Sequence, residues 1–178
     1  DKSRVRMEVY GGNWGFASNV AHYLDLFSFL TNSQDLRINN SLIDNKIYPS
    51  RRDGFIELGG TISFLSDNND VLTVTDNMNS NHPVTVKITS DEQSIVIFES
   101  EGKALVQHKV NSWKREEIDF PLTFQSDLTN KVATEILHSR KCGLPTIENS
   151  YNTHKLFLEL FLDKISLISG TKIIDCMI

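Results

Sequence analysis

His22 and Asp25 are the residues of this sequence whose types and spacing most favour chemistry. They lie three positions apart on a predicted helix, and residues at i and i+3 share one helix face. The spacing therefore predicts an imidazole close to a carboxylate. Histidine changes its charge near neutral pH, which suits it to general acid–base catalysis. A helical histidine beside an aspartate is more often structural, so the spacing supports a hypothesis of catalysis at His22 and nothing stronger.

A glycine-rich stretch, Gly11-Gly12-Asn13-Trp14-Gly15, stands just before this helix. Between a strand and a helix, such a loop can offer backbone N–H groups to an anion at the helix N-terminus. The stretch lacks the G-x-G-x-x-G spacing of a dinucleotide-binding loop. A tight connection between the two elements is the alternative interpretation.

The other reactive residue types are scattered along the chain. Arg51-Arg52 could bind a phosphate or a carboxylate, although an exposed pair at a strand edge is the commoner arrangement. Cys142 could act as a nucleophile only with a base beside it in space. Cys142 and Cys176 are the only cysteines, and they form no C-x-x-C pair. The histidines other than His22 lack the spacing of metal ligands; they are His82, His108, His138 and His154. The sequence therefore predicts no metal site, and it contains no Walker loop, H-E-x-x-H or G-x-S-x-G motif.

The elements that must position these residues begin with a strand and a helix. Apolar and polar residues alternate over 5–9, which predicts a strand. From Asn19 the apolar residues recur at helical spacing. Ser18 or Asn19 is the predicted N-cap of this helix, and Asn32-Ser33 its end.

The rest of the chain predicts strands followed by helices. Residues 45–122 are strand-rich with short turns between the strands, so neighbouring strands should be antiparallel. Gly59-Gly60 indicates a bulge or a close backbone approach. A helix is predicted over about 124–141, a second from its cap at Thr146 to about Leu167, and a last strand over 172–178. This order predicts an α+β fold, with a mainly antiparallel open β-sheet and helices packed on one face.

Composition bounds the class of protein. The 178 residues are 39% hydrophobic and 23% charged, with a net charge of −5, typical of one globular domain. A mildly acidic chain without a basic stripe argues against a nucleic-acid partner. No apolar run approaches the length of about 18 residues that indicates a membrane span. With two cysteines and no signal peptide, we expect a cytoplasmic protein, and the lack of an initiator Met at Asp1 suggests a fragment or a processed product.

The segment from Val9 to Leu26, with its glycine cluster and helix, resembles the start of the C-terminal domain of the Gfo/Idh/MocA oxidoreductases, the glucose-fructose oxidoreductase and inositol dehydrogenase group. In that family the helix reads roughly Asp-x-Gly-x-His-x-x-Asp, and His22 and Asp25 match its last two positions. The stretch 143–150, followed by a long helix, is similar to the closing part of the family. The resemblance spans nearly the whole chain, but only the first motif is specific.

This resemblance implies that residues 1–178 are a single C-terminal substrate-binding and oligomerisation domain, and that the Rossmann domain that binds NAD or NADP is absent from the chain. It implies hydride transfer at a carbon of a sugar, cyclitol or nucleotide-sugar-like substrate, with His22 as the acid–base residue. The substrate-binding residues would be Asn13, Trp14, Ser18, Asn19 and Asp25. The exposed sheet face, with Thr85, Lys87 and Thr89, would form a homodimer. Alone, the chain should bind no dinucleotide and should be inactive.

Two departures from the family pattern keep an alternative open. Ser18 occupies the position of the family's first Asp, and Val20 that of its Gly. A serine cannot serve as a carboxylate base, so the chain could instead be a non-catalytic binding or assembly domain. A third interpretation, a stand-alone sugar-binding or isomerase domain, needs a cluster of carboxylates, and Asp25, Glu57 and Asp119 are too scattered in sequence to assign.

Overall fold

The computed structural model describes residues 3–121, 123, 125–175 and 177–178. It contains ten strands and three α-helices within these residues, and their bounds are as follows: β1 Arg6–Gly11, α1 Phe16–Thr31, β2 Leu36–Ile43, β3 Tyr48–Pro49, β4 Ile56–Glu57, β5 Gly60–Ser66, β6 Val71–Asp76, β7 Thr85–Thr89, β8 Gln93–Phe98, β9 Lys103–His108, β10 Arg115–Asp119, α2 Gln125–Ser139 and α3 Ile147–Ser169.

Eight of the strands form one open sheet in the order β10-β9-β8-β7-β1-β6-β5-β2. Only β1 and β6 run parallel, and every other neighbouring pair is antiparallel. Short turns join β5 to β6 and each strand from β7 to β10 to the next, which makes these pairs antiparallel. The antiparallel pairs β1–β7 and β2–β5 join strands that are distant in sequence. β1 is a central strand flanked by β6 and β7, so the loop that follows it leaves the sheet at the end of a central strand. The predicted α+β class is confirmed.

The core lies between one face of the sheet and two of the helices. Alternate residues of β1 are buried, including Met7 and Val9, and they face the apolar stripes of α1 and α3. Phe16 of α1 packs on Phe161 of α3 with 5.6 Å between the ring centroids. None of the described residues of α2 is buried, so this helix stands outside the core. No helix in the described part of the chain has both the length and the apolar character needed to cross a membrane.

On the opposite face of the sheet, polar side chains of β1 and β7 lie beside half-buried apolar ones such as Val96 and Leu105, and neither α1 nor α3 packs there. Residues paired across neighbouring strands share a face, which places Glu8 of β1 beside Lys87 of β7, with 4.0 Å between the carboxylate and the ammonium. Thr85 and Thr89 lie on the same face. This is the surface through which the sequence predicts a homodimer.

Several predicted boundaries are confirmed. Thr146 caps α3 by accepting a hydrogen bond from the Asn149 N–H at 3.2 Å, and Gly170 ends that helix in a left-handed conformation. Asn32 ends α1 in the same way. The close approach predicted at Gly59-Gly60 is real, because a Cβ on Gly60 would lie 2.3 Å from the Leu42 carbonyl oxygen.

Other predictions were wrong. α1 begins at Phe16 and not at Asn19, and neither Ser18 nor Asn19 is its N-cap, which is Gly15. The edge strand β2 lies in a polar stretch that sequence periodicity left unassigned. Residues 172–175 and 177–178 form no strand. Leu122, Phe124 and Cys176, which were included in predicted elements, lie outside the described residues.

Gly12 holds the loop before α1 against the turn after β6. Its N–H donates to the His82 carbonyl at 2.9 Å, and a Cβ at this position would lie 2.3 Å from the Ser80 carbonyl oxygen. We expect Gly12→Ala to lower the unfolding free energy by about 1–3 kcal/mol, because backbone must move to admit the methyl group. Gly143→Ala is the matched control, since a Cβ there meets nothing within 4 Å. Equal urea denaturation curves for the two variants would contradict this account.

Candidate functional site

The loop between β1 and α1 is fixed by hydrogen bonds to Asp76, the last residue of β6. Its carboxylate accepts the N–H of Asn13 at 2.6 Å and the N–H of Trp14 at 3.2 Å. Asp76 is 1% exposed. Burial raises the pKa of this carboxyl, and the backbone hydrogen bonds oppose that rise. Parallel pairing places Asp76 opposite Gly11, at the point where the loop leaves the sheet.

Glu57 caps the first turn of α1 from another strand. Its carboxylate accepts the Ala17 N–H at 3.0 Å and lies 3.2 Å from the Ser18 hydroxyl, which can donate to it. Burial raises the pKa of Glu57, while the hydrogen bonds from Ala17 and Ser18 oppose the rise. Carboxylates therefore occupy the N–H groups that an external anion would need at this helix N-terminus, which argues against anion binding by the glycine loop itself.

Trp14 and Asn19 stiffen the same loop. The indole N–H of Trp14 donates to the Thr75 carbonyl at 3.0 Å, and its ring makes edge contacts with Phe16 and Tyr23. The Asn19 amide donates to the Trp14 carbonyl at 2.9 Å and to the Gly15 carbonyl at 3.0 Å. Both side chains are thus fixed in orientation by the backbone around them.

Two cavities meet at Trp14, Asn19 and His22. One, of about 350 Å³, also contains Ser18, Glu57 and the turn between β3 and β4. The other, of about 390 Å³, extends towards Tyr23 and Glu99. The Tyr23 hydroxyl donates to the Glu99 carboxylate at 3.3 Å, and burial is the main cause that raises the pKa of each group. His22 is exposed at the junction of the two cavities, where its imidazole can reach a bound molecule.

Asp25 faces a different part of the molecule. Its Oδ1 accepts the Ser150 hydroxyl at 3.1 Å and lies 3.3 Å from Nε2 of His154, both on α3. It also lines a separate cavity of about 500 Å³. Ser150 donates to the aspartate and not to the histidine, so the three residues are not arranged as a nucleophilic triad. Asp25 thus connects α1 to α3, and the other five predicted site residues come together without it.

Glu57 and Arg51, which line the first cavity, make contacts that position the site and that the sequence did not indicate. Glu57 remained unassigned, and no local signal marks it, because its partners are 39 and 40 positions away. Arg51 donates from Nη2 to the Asn13 carbonyl at 3.1 Å and so holds the glycine loop from the other side. The Arg51-Arg52 dipeptide was the available signal for this residue.

The remaining candidates lie apart from this site. The His82 ring contacts the ring of Tyr10 edge-on, and Nδ1 of His138 lies 2.8 Å from the Thr134 carbonyl oxygen within α2. Asp119 is on β10, at the far edge of the sheet. Among the described residues, no group of three His, Cys, Asp or Glu side chains could hold a metal ion.

No protein-family model matches this sequence, and no curated protein matches it. Solved structures do share its fold. UDP-N-acetylglucosamine 3-dehydrogenase GnnA from Acidithiobacillus ferrooxidans is similar with a TM-score of 0.63 at 8% identity, over 94% of this chain and 53% of that one. A Gfo/Idh/MocA family oxidoreductase from Vibrio cholerae is similar with a TM-score of 0.55 at 14% identity, over 92% and 54% of the two chains.

A third similar structure is KijD10, a 3-ketoreductase from Actinomadura kijaniata, in complex with TDP-benzene and NADP. Its TM-score is 0.54 at 10% identity, over 96% of this chain and 51% of that one. This chain has the fold of part of a Gfo/Idh/MocA-type oxidoreductase. The resemblance inferred from the glycine loop and helix is confirmed at the level of the fold. The chain spans about half the length of these structures.

The raised pKa of the buried Glu57 carboxyl predicts how the stability of the protein depends on pH. Its folded pKa is raised above the ordinary value of 4.5, so the folded state keeps this proton to higher pH than the unfolded state. Its contribution to stability is therefore lost as pH rises from about 4.5 through the folded pKa. The unfolding free energy of the wild type minus that of Glu57→Gln should fall over this interval.

Urea denaturation at a series of pH values measures this difference. Asp76 is present in both proteins, so its own titration largely cancels when the two unfolding free energies are subtracted. The difference then reports the titration of Glu57 and its electrostatic interaction with Asp76. Glu135→Gln, at an exposed position of α2, is the matched control, since it removes a carboxylate that is not buried. A difference for Glu57→Gln that stays constant, or that rises with pH, would show that this carboxyl is not buried as described.

The contacts of Asp25 predict a structural role. Asp25→Ala removes the acceptor of the Ser150 hydroxyl and the carboxylate that lies beside His154, and we expect a loss of about 1–3 kcal/mol of unfolding free energy. Asp163→Ala removes an exposed carboxylate of α3 and should change stability much less. A loss in urea denaturation no larger than that of the control would refute this role for Asp25.

Proposed function

We propose that this chain is the substrate-binding domain of an NAD(P)-dependent oxidoreductase that acts on a sugar or cyclitol, with His22 as its acid–base residue. The observation that carries the proposal is the position of His22. It is exposed where two cavities meet at the start of α1, in a chain that has the fold of these oxidoreductases.

In this proposal His22 transfers the proton to and from the substrate oxygen. When a substrate carbonyl is reduced, its oxygen needs a proton as its carbon receives a hydride, and the reverse reaction removes that proton. A group that titrates near neutral pH can serve in both directions. NAD(P), when bound, supplies or accepts the hydride. We place the dinucleotide in a domain outside this chain, as the family resemblance implies; the N–H groups of Asn13, Trp14 and Ala17 around the start of α1 are already bonded to Asp76 and Glu57.

Glu57 offers a carboxylate where Ser18 has none. The family resemblance places an Asp four residues before the histidine, and here that position is a serine. The Glu57 carboxylate lies 3.2 Å from the Ser18 hydroxyl and lines the same cavity as His22. The Ser18 hydroxyl proton can go to Glu57 or to the Gly15 carbonyl at 3.1 Å, and in either case the Ser18 oxygen can accept a hydrogen bond from a substrate hydroxyl. Asn13, Trp14 and Asn19 complete the proposed substrate contacts.

The activities of two similar proteins support a sugar-containing substrate. One is a UDP-N-acetylglucosamine 3-dehydrogenase, and another, a 3-ketoreductase, was solved with TDP-benzene and NADP. We extend to this chain only the class of substrate, a sugar with or without a linked nucleotide.

The proposal also includes a homodimer through the sheet face that carries Glu8 and Lys87, since an exposed sheet face can pair with itself across a twofold axis.

His22→Ala tests the catalytic role in the product of the complete gene. Turnover is followed by nicotinamide absorbance, first with UDP-N-acetylglucosamine and then with unlinked sugars and myo-inositol. We expect kcat to fall by roughly 10²–10⁴, the contribution of a general acid–base residue. Because His22 is exposed, thermal unfolding should change little. His138→Ala on α2 is the matched control and should leave kcat unchanged.

An unchanged kcat in His22→Ala would refute the catalytic assignment. The gene sequence upstream of Asp1, translated in frame, provides a further test. A Rossmann fingerprint there supports the oxidoreductase. A start codon near Asp1 with no such domain would instead favour the non-catalytic binding or assembly domain, in which Ser18 marks a lost carboxylate.

A further inference from the structure

The cavity next to His22 has two arginines at its rim. Arg51 and Arg52 lie in the turn between β3 and β4 and line the same cavity as His22 and Ser18. The turn is closed by a hydrogen bond from the Ser50 N–H to the Phe55 carbonyl at 3.1 Å and by another from the Phe55 N–H to the Arg52 carbonyl at 3.2 Å. These bonds fix the backbone that carries the two guanidinium groups.

No acid among the described residues forms an ion pair with either guanidinium. Five ion pairs occur in the described part of the chain, and none of them includes Arg51 or Arg52. The one side-chain hydrogen bond described for Arg51 goes to the neutral Asn13 carbonyl, which leaves most of its five donors free. Asp53 stands in the same turn, and Glu57 forms part of the cavity wall. The Glu57 carboxylate already accepts bonds from Ala17 and Ser18.

Arg51 and Arg52 place two positive charges beside this cavity, in a chain whose net charge is −5. A guanidinium presents paired N–H donors that match the oxygen atoms of a phosphate or a carboxylate. The backbone N–H groups at the start of α1 cannot serve this purpose, since Asp76 and Glu57 hold them. Recognition of an anion at this site therefore depends on the arginine side chains.

We propose that Arg51 and Arg52 bind an anionic group of the substrate, a phosphate or a carboxylate, and so select a charged sugar over a neutral one. This inference rests on the proposed function, because it treats the cavity at His22 as the substrate site. A cavity of about 350 Å³ lies within the range of small-molecule sites. The anion would lie at the turn, and the hydroxyl-bearing part of the substrate would extend to His22.

NMR titration of the 178-residue chain tests the proposal, because it also detects weak binding. The probes are glucose 1-phosphate, glucuronate and glucose. We expect both anions to shift the amide resonances of the turn and the indole N–H resonance of Trp14, and to bind about tenfold or more tightly than glucose. The ratio of the two anion affinities distinguishes a phosphate site from a carboxylate site.

The double variant Arg51→Gln/Arg52→Gln should weaken binding of both anions by about tenfold or more and leave glucose unaffected. Arg37→Gln/Arg115→Gln is the matched control, since it removes the same charge from exposed positions of β2 and β10, outside the cavity. Arg52→Gln alone keeps the bond from Arg51 to the glycine loop. It should still weaken binding measurably, which separates anion recognition from a disturbed loop.

Three outcomes would overturn the proposal: no binding of either anion, equal binding of anions and glucose, or an equal loss in the test and control double variants. The result is independent of hydride transfer. If the anions bind through the arginines while His22→Ala retains full kcat in the complete gene product, the catalytic assignment of His22 fails and the anion site remains. If His22→Ala is inactive and the anions do not bind, only the anion site fails.

Discussion

The arrangement of the site depends on two carboxylates buried beneath the start of α1. A carboxylate removed from water needs hydrogen-bond donors, and the first N–H groups of a helix need acceptors. Asp76 and the loop at Asn13 and Trp14 satisfy each other, as do Glu57 and the first turn of α1. This pairing explains why α1 begins without a side-chain cap of its own, three residues before the position that its capping residues predicted. It also sets the direction in which Ser18 and His22 leave the helix.

α1 serves two purposes along its length. Its first turns present His22 to the cavities, and its next turn is tied by Asp25 to α3. Residues three apart on a helix are separated by about 60° around its axis. That angle is enough for His22 to face the cavities while Asp25 contacts a packed helix. Shared helix-face spacing therefore did not produce the predicted imidazole–carboxylate pair.

Charge is distributed unequally around the glycine loop. The acids Asp76 and Glu57 are buried and bonded to backbone N–H groups, while Arg51 and Arg52 are exposed at the rim. The inner acids use up the local backbone donors, which leaves the guanidinium groups as the nearby donors for a ligand. The same contacts make the loop rigid, because Arg51 donates to the Asn13 carbonyl and Asp76 accepts the Asn13 N–H. A site that is held in place before binding loses less entropy when a ligand arrives.

The sequence by itself determined the α+β class and the cap and end of α3, and the family resemblance of one loop and helix grouped Asn13, Trp14, Ser18, Asn19 and His22. These depend on local periodicity, capping and neighbours within one loop and one helical turn, which the order of residues records directly. Only the tertiary structure decided the start of α1, the partner of Asp25 and the place of Glu57 in the site. Each of these rests on contacts between residues 39 or more positions apart, where sheet pairing and helix packing choose among acceptors that are equivalent in the sequence.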